Sequence, residues 1–179
     1  MQALSTMRSH NNCFPSLDGE IDMGRIGLMV SLLALSLQAR ACWQEAGSRY
    51  DVAPGLLHAI ARTESGLNAT ALNRNKNGSM DIGLMQINSS WLPELATHGI
   101  SAHELWNPCV NIHVGAWVLS KSFRRLGMNW DAVGAYNARS RDKRIRYAWK
   151  VYANLDPSDR SRKPSPSLLI DRSNSETSQ

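Results

Sequence analysis

The segment ESGLNATALNRNKNGSMDIGLMQINSSW, residues 64–91, joins the end of an apolar helical stripe to a polar, turn-rich stretch and then to a run of apolar and amide residues. Upstream, Leu57, Ile60 and Ala61 recur at helical spacing, and Glu64 falls on the same stripe. Asp51-Val52-Ala53-Pro54 supplies a turn with proline suited to a helical first turn, so a helix is expected from there to about Ser65, with Glu64 on its core side. Asn73, Asn75 and the Asn77-Gly78 pair predict a small hairpin or ordered loop between residues 68 and 79. Asp81 follows that turn. The two carboxylates thus stand in unlike surroundings, which gives carboxyl groups unlike pKa values and separable roles.

Outward from this segment the chain reads as helical. Residues Cys42 to Tyr50 suit a short helix, and Ser101 with Glu104 has capping-box spacing. Asn107-Pro108 marks a turn before Val110, Val114, Trp117, Val118 and Phe123, the face of a central buried helix ending near Gly127. Asn129 is placed to cap a helix through Trp130, Val133 and Tyr136, and an amphipathic helix is expected from Arg141 to Tyr152. Leu84, Met85 and Trp91 are expected in the core. The fold class is mainly α (α+β), a helical lobe with a small β-hairpin or loop lobe.

A chain of 179 residues, 42% hydrophobic, supports one core, and its ends have a different character. Arg25, the apolar run Ile26 to Leu37 and the small-x-small signal Ala39-Arg40-Ala41 mark residues 1–41 as a cleavable leader, and the acids Asp18, Glu20 and Asp22 point to a start at Met23. The apolar run is shorter than the roughly 20 residues that span a bilayer, so no transmembrane anchor is expected after processing. Ala39 and Arg40 suit lipoprotein processing at Cys42 poorly. Residues 42–152 form the expected domain, and 153–179, with Pro157, Pro164, Pro166 and many serines, a flexible tail.

Loss of the leader removes Cys13 and leaves Cys42 and Cys109, an even pair that in an exported chain reads as a disulfide. Closing that loop suggests about 4 kcal/mol by chain entropy. The net charge of +5 suits anionic partners without choosing among them. The basic run from Arg139 to Arg146 reads as the solvated face of the last helix, and no nucleic acid is expected as a partner. Neither a phosphate-binding glycine loop nor a paired CxxC pattern occurs, and His98, His103 and His113 with Cys109 match no zinc signature, so neither metal nor cofactor is expected.

Cleaving a glycosidic bond needs an acid that still holds its proton near neutral pH, and a glutamate at the rim of an apolar stripe is desolvated in the direction that keeps it. Three elements reinforce this reading: Glu64-Ser65, Gly83-Leu84-Met85-Gln86-Ile87-Asn88 and Ala135-Tyr136-Asn137. In that order they resemble the lysozyme-like lytic transglycosylases, in particular the small exported members that accompany type III secretion, type IV pilus and conjugation systems. The resemblance covers roughly Cys42 to Tyr152.

It implies a lysozyme-like fold, periplasmic location, peptidoglycan glycan strands as substrate, and Glu64 as the catalytic acid and base, with Ser65 beside it. It further implies that Gln86 and Asn88 line the saccharide cleft, that Tyr136 approaches Glu64 from a later helix and that Asn137 supports that wall. Standing alone, Gln86 would read equally as a buried amide bonded to backbone, and Tyr136 and Asn137 as packing and capping residues.

Asp81 leaves two outcomes open. The run around it also looks like animal-type lysozymes, in which an Asp at this place is the second catalytic carboxylate, so a hydrolytic muramidase stands beside the transglycosylase. A turn carboxylate capping backbone N–H groups is the plainer reading, and a non-catalytic wall-binding assembly factor is a third function on the same scaffold. Relatives commonly have glycine where Arg139 stands, so the loop there is expected to follow another path.

Overall fold

Residues 41–50 form the first helix, α1, and the chain turns through Asp51 at φ 55° before Pro54 opens α2 (Pro54–Ser65). These coordinates come from a computed structural model that describes residues 41–160. The expected leader up to residue 40, its Met23 start and the tail beyond residue 160 lie outside the described residues. Gly66, left-handed at φ 64°, ends α2 and returns its N–H to the carbonyls of Ala61 and Arg62, a conformation glycine adopts without steric cost.

The polar segment becomes a three-stranded antiparallel sheet of β1 (Leu72–Arg74), β2 (Met80–Ile82) and β3 (Ile87–Asn88), in that spatial order. The hairpin expected around Asn77-Gly78 is the β1–β2 connection, with Gly78 at φ 83°. The register puts Asn73, Asp81 and Asn88 in one cross-strand row. A 3-10 turn over Ser89–Trp91 leads into α3 (Leu92–Ala96), and a second over Glu104–Trp106 precedes α4. At the Ser101–Glu104 pair the Glu104 carboxylate accepts the Ser101 N–H at 2.7 Å, half of the expected capping box.

Helix α4 (Pro108–Leu126) starts at Asn107, whose Oδ1 accepts from the N–H groups of Cys109 and Val110. Then come α5 (Trp130–Gly134), capped by Asn129 through the Ala132 N–H, α6 (Arg141–Asn154) and the short α7 (Pro157–Arg160). This is the mainly helical, lysozyme-like architecture with a small β lobe. The disulfide Cys42–Cys109 ties α1 to the first turn of α4. Among the described residues no helix is long and apolar enough to cross a membrane.

The core gathers Leu57 and Ile60 of α2, Met85 and Ile87 of the β lobe, Leu105, Leu119 of α4 and Val151 of α6. On α4 the expected face is buried at Val114 and Val118, while its Val110, Trp117 and Phe123 are only partly buried and Ile112, Ala116 and Leu119 are closed off beside it. The helix is covered on more than one side, so small and medium residues fill its inner positions and the bulky aromatics sit at the edges. Residues 155–160 also stay folded. Leu155 is buried, and Arg160 donates back to the carbonyls of Leu155 at 3.0 Å and Ala153 at 2.6 Å. The non-glycine residues with positive φ among those described are Asp51, Leu67 and Gln86, so Arg139 avoids the left-handed backbone.

One polar side chain in this core joins the lobes. Asn111 of α4 is 0% exposed; its Oδ1 accepts the Met85 N–H at 2.7 Å, and its Nδ2 donates to the carbonyls of Ile82 at 2.9 Å and Leu105 at 2.8 Å. Between those anchor points Gly83 sits at φ 75°, where a Cβ would come within 2.5 Å of Asn111 Nδ2 and 2.8 Å of the Leu105 carbonyl. Replacing Asn111 by leucine keeps the branching and heavy-atom count but strands one N–H and two carbonyls in the interior, each costing roughly 1–3 kcal/mol. Asn111→Leu is expected to lower stability by about 4 kcal/mol in urea unfolding; a loss below about 1 kcal/mol would show that the amide is dispensable.

Candidate functional site

The last turn of α2 delivers Glu64 to the boundary between the helical core and the β lobe. Its Oε1 accepts a hydrogen bond from the phenol of Tyr147, which α6 presents from its buried side. Burial pushes the Glu64 carboxyl up to about 7, with the Tyr147 bond pulling it down, the negative charge of Asp81 adding to the rise and Lys150 opposing it. Glu64 is therefore divided between its acid and carboxylate forms close to neutrality, the condition under which one group both gives and takes a proton.

Tyr136, expected against Glu64, lies one ring behind. It stacks on Tyr147 with centroids 6.5 Å apart and planes 16° from parallel, and its hydroxyl donates to the Met85 carbonyl at 2.9 Å. Burial holds both phenols well above their ordinary pKa, and the nearby charge of Glu64 adds to this. They are protonated donors across the neutral range. Asn137 is exposed just beyond α5.

Residues of the Gly83–Asn88 element brace one another. Ser65 Oγ donates to the Leu84 carbonyl at 2.7 Å and accepts the Asn68 N–H at 3.1 Å, fastening the end of α2 to this loop. Gln86 holds a left-handed backbone at φ 49°, and its Nε2 donates to the carbonyls of Ala71 at 3.2 Å and Gly83 at 2.9 Å. That conformation costs a non-glycine residue about 1 kcal/mol or more and persists where surroundings enforce it. The Gln86 amide N–H groups thus point into the protein, as in the buried-amide reading. Leu84 and Met85 are buried as expected, and Trp91 packs edge-on to Trp117 at 5.3 Å.

Asp81 sits on β2 and is held by side-chain amides, not by the turn backbone. Asn88 donates to its Oδ1 at 2.6 Å, while Asn75 at 2.9 Å and Asn73 at 3.4 Å donate to Oδ2. Ser79 joins the same network through Asn75 and Asn88. A carboxylate that accepts from three side-chain amides is fixed in orientation.

Among the described residues no group of three or more His, Cys, Asp or Glu is placed to hold a metal ion. His113 packs on Tyr50 and His98 on Trp117, and Cys109 is spent in the disulfide. In the basic run, Arg144 bonds Asp131 at 3.0 Å and the Ala138 carbonyl at 3.2 Å. Sequence reasoning missed Tyr147, Asn73, Asn75 and Asn111. Tyr147 had a signal: with Ala148 and Val151 it forms the buried stripe of α6, inside a helix whose charges drew attention outward.

Residues 41–150 match the transglycosylase SLT domain family. The chain is 39% identical to the invasion protein IagB of Salmonella typhi over 132 residues, covering 71% of this chain and 82% of that one. It is 42% identical to protein IpgF of Shigella flexneri over 116 residues, covering 62% and 76% respectively. A peptidoglycan-binding-like protein of Escherichia coli O157:H7 is 39% identical over 137 residues, 70% of this chain and 82% of its own.

The raised Glu64 pKa has a consequence for folding. The folded state holds this proton more tightly than the unfolded chain, whose ordinary value is 4.5, so the contribution is complete below 4.5 and is lost as pH rises through about 7. In full it is about 3 kcal/mol. Unfolding free energy should therefore fall between those values in the native protein and fall less in Glu64→Gln; parallel curves for the two would exclude a raised pKa. Because the Tyr147 bond lowers the Glu64 pKa, Tyr147→Phe should move the carboxyl titration upward in an NMR pH series.

Proposed function

The chain belongs to the transglycosylase SLT domain family and so has a lytic-transglycosylase-like role on peptidoglycan; on that premise we propose that it cleaves the MurNAc–GlcNAc bond with Glu64 as acid and base. The observation that carries this is the half-buried Glu64 carboxyl, poised near neutral pH and steered by the Tyr147 phenol. In the proposed sequence the Glu64 proton passes to the glycosidic oxygen as its bond to the muramyl C1 breaks. The Glu64 carboxylate then takes the proton of the muramyl C6 hydroxyl, whose oxygen closes on C1 to give a 1,6-anhydro end. Water is not consumed, and Glu64 ends protonated, ready for another cycle.

Positive charge builds on the sugar ring between these steps. Asp81, held by three amides and close enough to raise the Glu64 pKa, supplies a fixed negative charge of the right sign to stabilise it. The same carboxylate favours the second reading, a lysozyme-type muramidase in which Asp81 supports hydrolysis. Gln86 and Asn88 contribute by shaping the wall: Gln86 fixes the loop and Asn88 fixes Asp81, while Ser65 anchors the loop to α2 and Tyr136 and Asn137 form the side toward α5.

In the proposed setting, residues 1–41 direct export to the periplasm, the domain that begins at Cys42 and runs on through Arg160 carries the activity, and the remainder follows as a tail. The work is to open the wall locally for a type III secretion, type IV pilus or conjugation apparatus, a role in keeping with an invasion protein among the relatives. Mass analysis of digested peptidoglycan tests the chemistry. Anhydro-muramyl ends are expected; reducing ends in their place would establish the hydrolase. Glu64→Gln is expected to reduce cleavage by at least about a hundredfold with the fold intact, whereas wild-type cleavage of nothing at all would leave a wall-binding factor. Cleavage should decline as pH rises through about 7, as Glu64 loses its proton.

A further inference from the structure

The solvent side of α6 carries a feature that acid chemistry leaves unused. Lys143, Arg146 and Lys150 follow one another in steps of three and four residues, so they stand in a row along one side of the helix, spanning about 10 Å. All three are exposed. Tyr147, which bonds Glu64, is four residues after Lys143 and three before Lys150, so the row runs directly beside the wall of the site. The charge of Lys150 reaches the Glu64 carboxyl itself.

Intramolecular pairing does not account for the row. Arg144, from the same stretch, turns the other way to bond Asp131 and the Ala138 carbonyl. Asp142 is the one acid of α6, in its first turn, where a negative charge suits the helix N-terminus. Among the described residues the ion pairs are His113–Glu45, Lys121–Glu94 and Arg144–Asp131, and none involves Lys143, Arg146 or Lys150. Three like charges on adjacent turns repel one another and are relieved by an anionic partner.

We propose that the Lys143–Arg146–Lys150 row binds the carboxylates of the peptide stems carried by the muramyl sugars, selecting peptide-bearing glycan over bare glycan. This rests on the peptidoglycan reading above, since a glycan lying across Glu64 must pass Tyr147. The stems branch from the muramyl sugar and end in free carboxylates, and lysine and arginine at an exposed edge meet them as paired charges.

The test compares peptide-bearing peptidoglycan with the same glycan stripped of its stems by an amidase. Lys143→Ala with Arg146→Ala leaves Lys150, and hence its effect on Glu64, in place. The expected result is a KM raised about fivefold on peptide-bearing material with kcat unchanged, and a change within about twofold on stripped glycan. Equal changes on both substrates, or none on either, would overturn the proposal. Co-sedimentation of Glu64→Gln with intact and stripped sacculi reads binding without turnover. If the wild type cleaves neither substrate yet intact sacculi bind better than stripped ones through these two residues, the catalytic reading fails and the row stands. Loss of binding to phosphatidylglycerol vesicles in the double variant, with sacculus binding unchanged, would overturn it in favour of a lipid surface.

Discussion

The site hangs from one buried amide. Asn111 bonds to backbone at Ile82, Met85 and Leu105, and no other group on α4 reaches the β lobe in this way among the hydrogen bonds described. The loop it holds offers two carbonyls outward: that of Leu84 takes the Ser65 hydroxyl, and that of Met85 takes the Tyr136 phenol. Ser65 adjoins Glu64, and Tyr136 stacks on the ring that bonds Glu64. Position is thus transmitted from a helix interior to the reactive carboxyl through backbone oxygens, with little freedom at any joint.

Glu64 is itself a balance of opposed influences. Burial and Asp81 favour its proton; Tyr147 and Lys150 favour its charge. A carboxyl with burial alone would be a poor base, and one with the phenol alone a poor acid. The sheet register supplies the second charge, because Asn73, Asp81 and Asn88 stand opposite one another and the two amides close on the carboxylate from either side.

Much of this was legible in the sequence, for reasons that differ by element. The α2 stripe, the prolines that open helices, the Asn107-Pro108 turn and the Asn129 cap are local signals, and the helices begin where those residues stand. The Asp81 network could not be read that way, since its partners are neighbours only after the strands pair. Asn111 looks like any polar residue near a helix start; its three partners come from two other segments. Tyr147 is spaced as a core residue, and only the approach of α6 to α2 gives its hydroxyl a carboxylate to meet. Composition misjudged residues 155–160, where Pro157 and Ser158 hide a buried Leu155 and the returning Arg160.

The Cys42–Cys109 bridge fixes the first turn of α4, two residues before Asn111. Thiols remain reduced where glutathione and thioredoxin operate and are joined where oxidants prevail. The clamp on the helix that suspends the site therefore depends on the redox state of its surroundings, so the rigidity of the Glu64 pocket is a property of the compartment as well as of the chain.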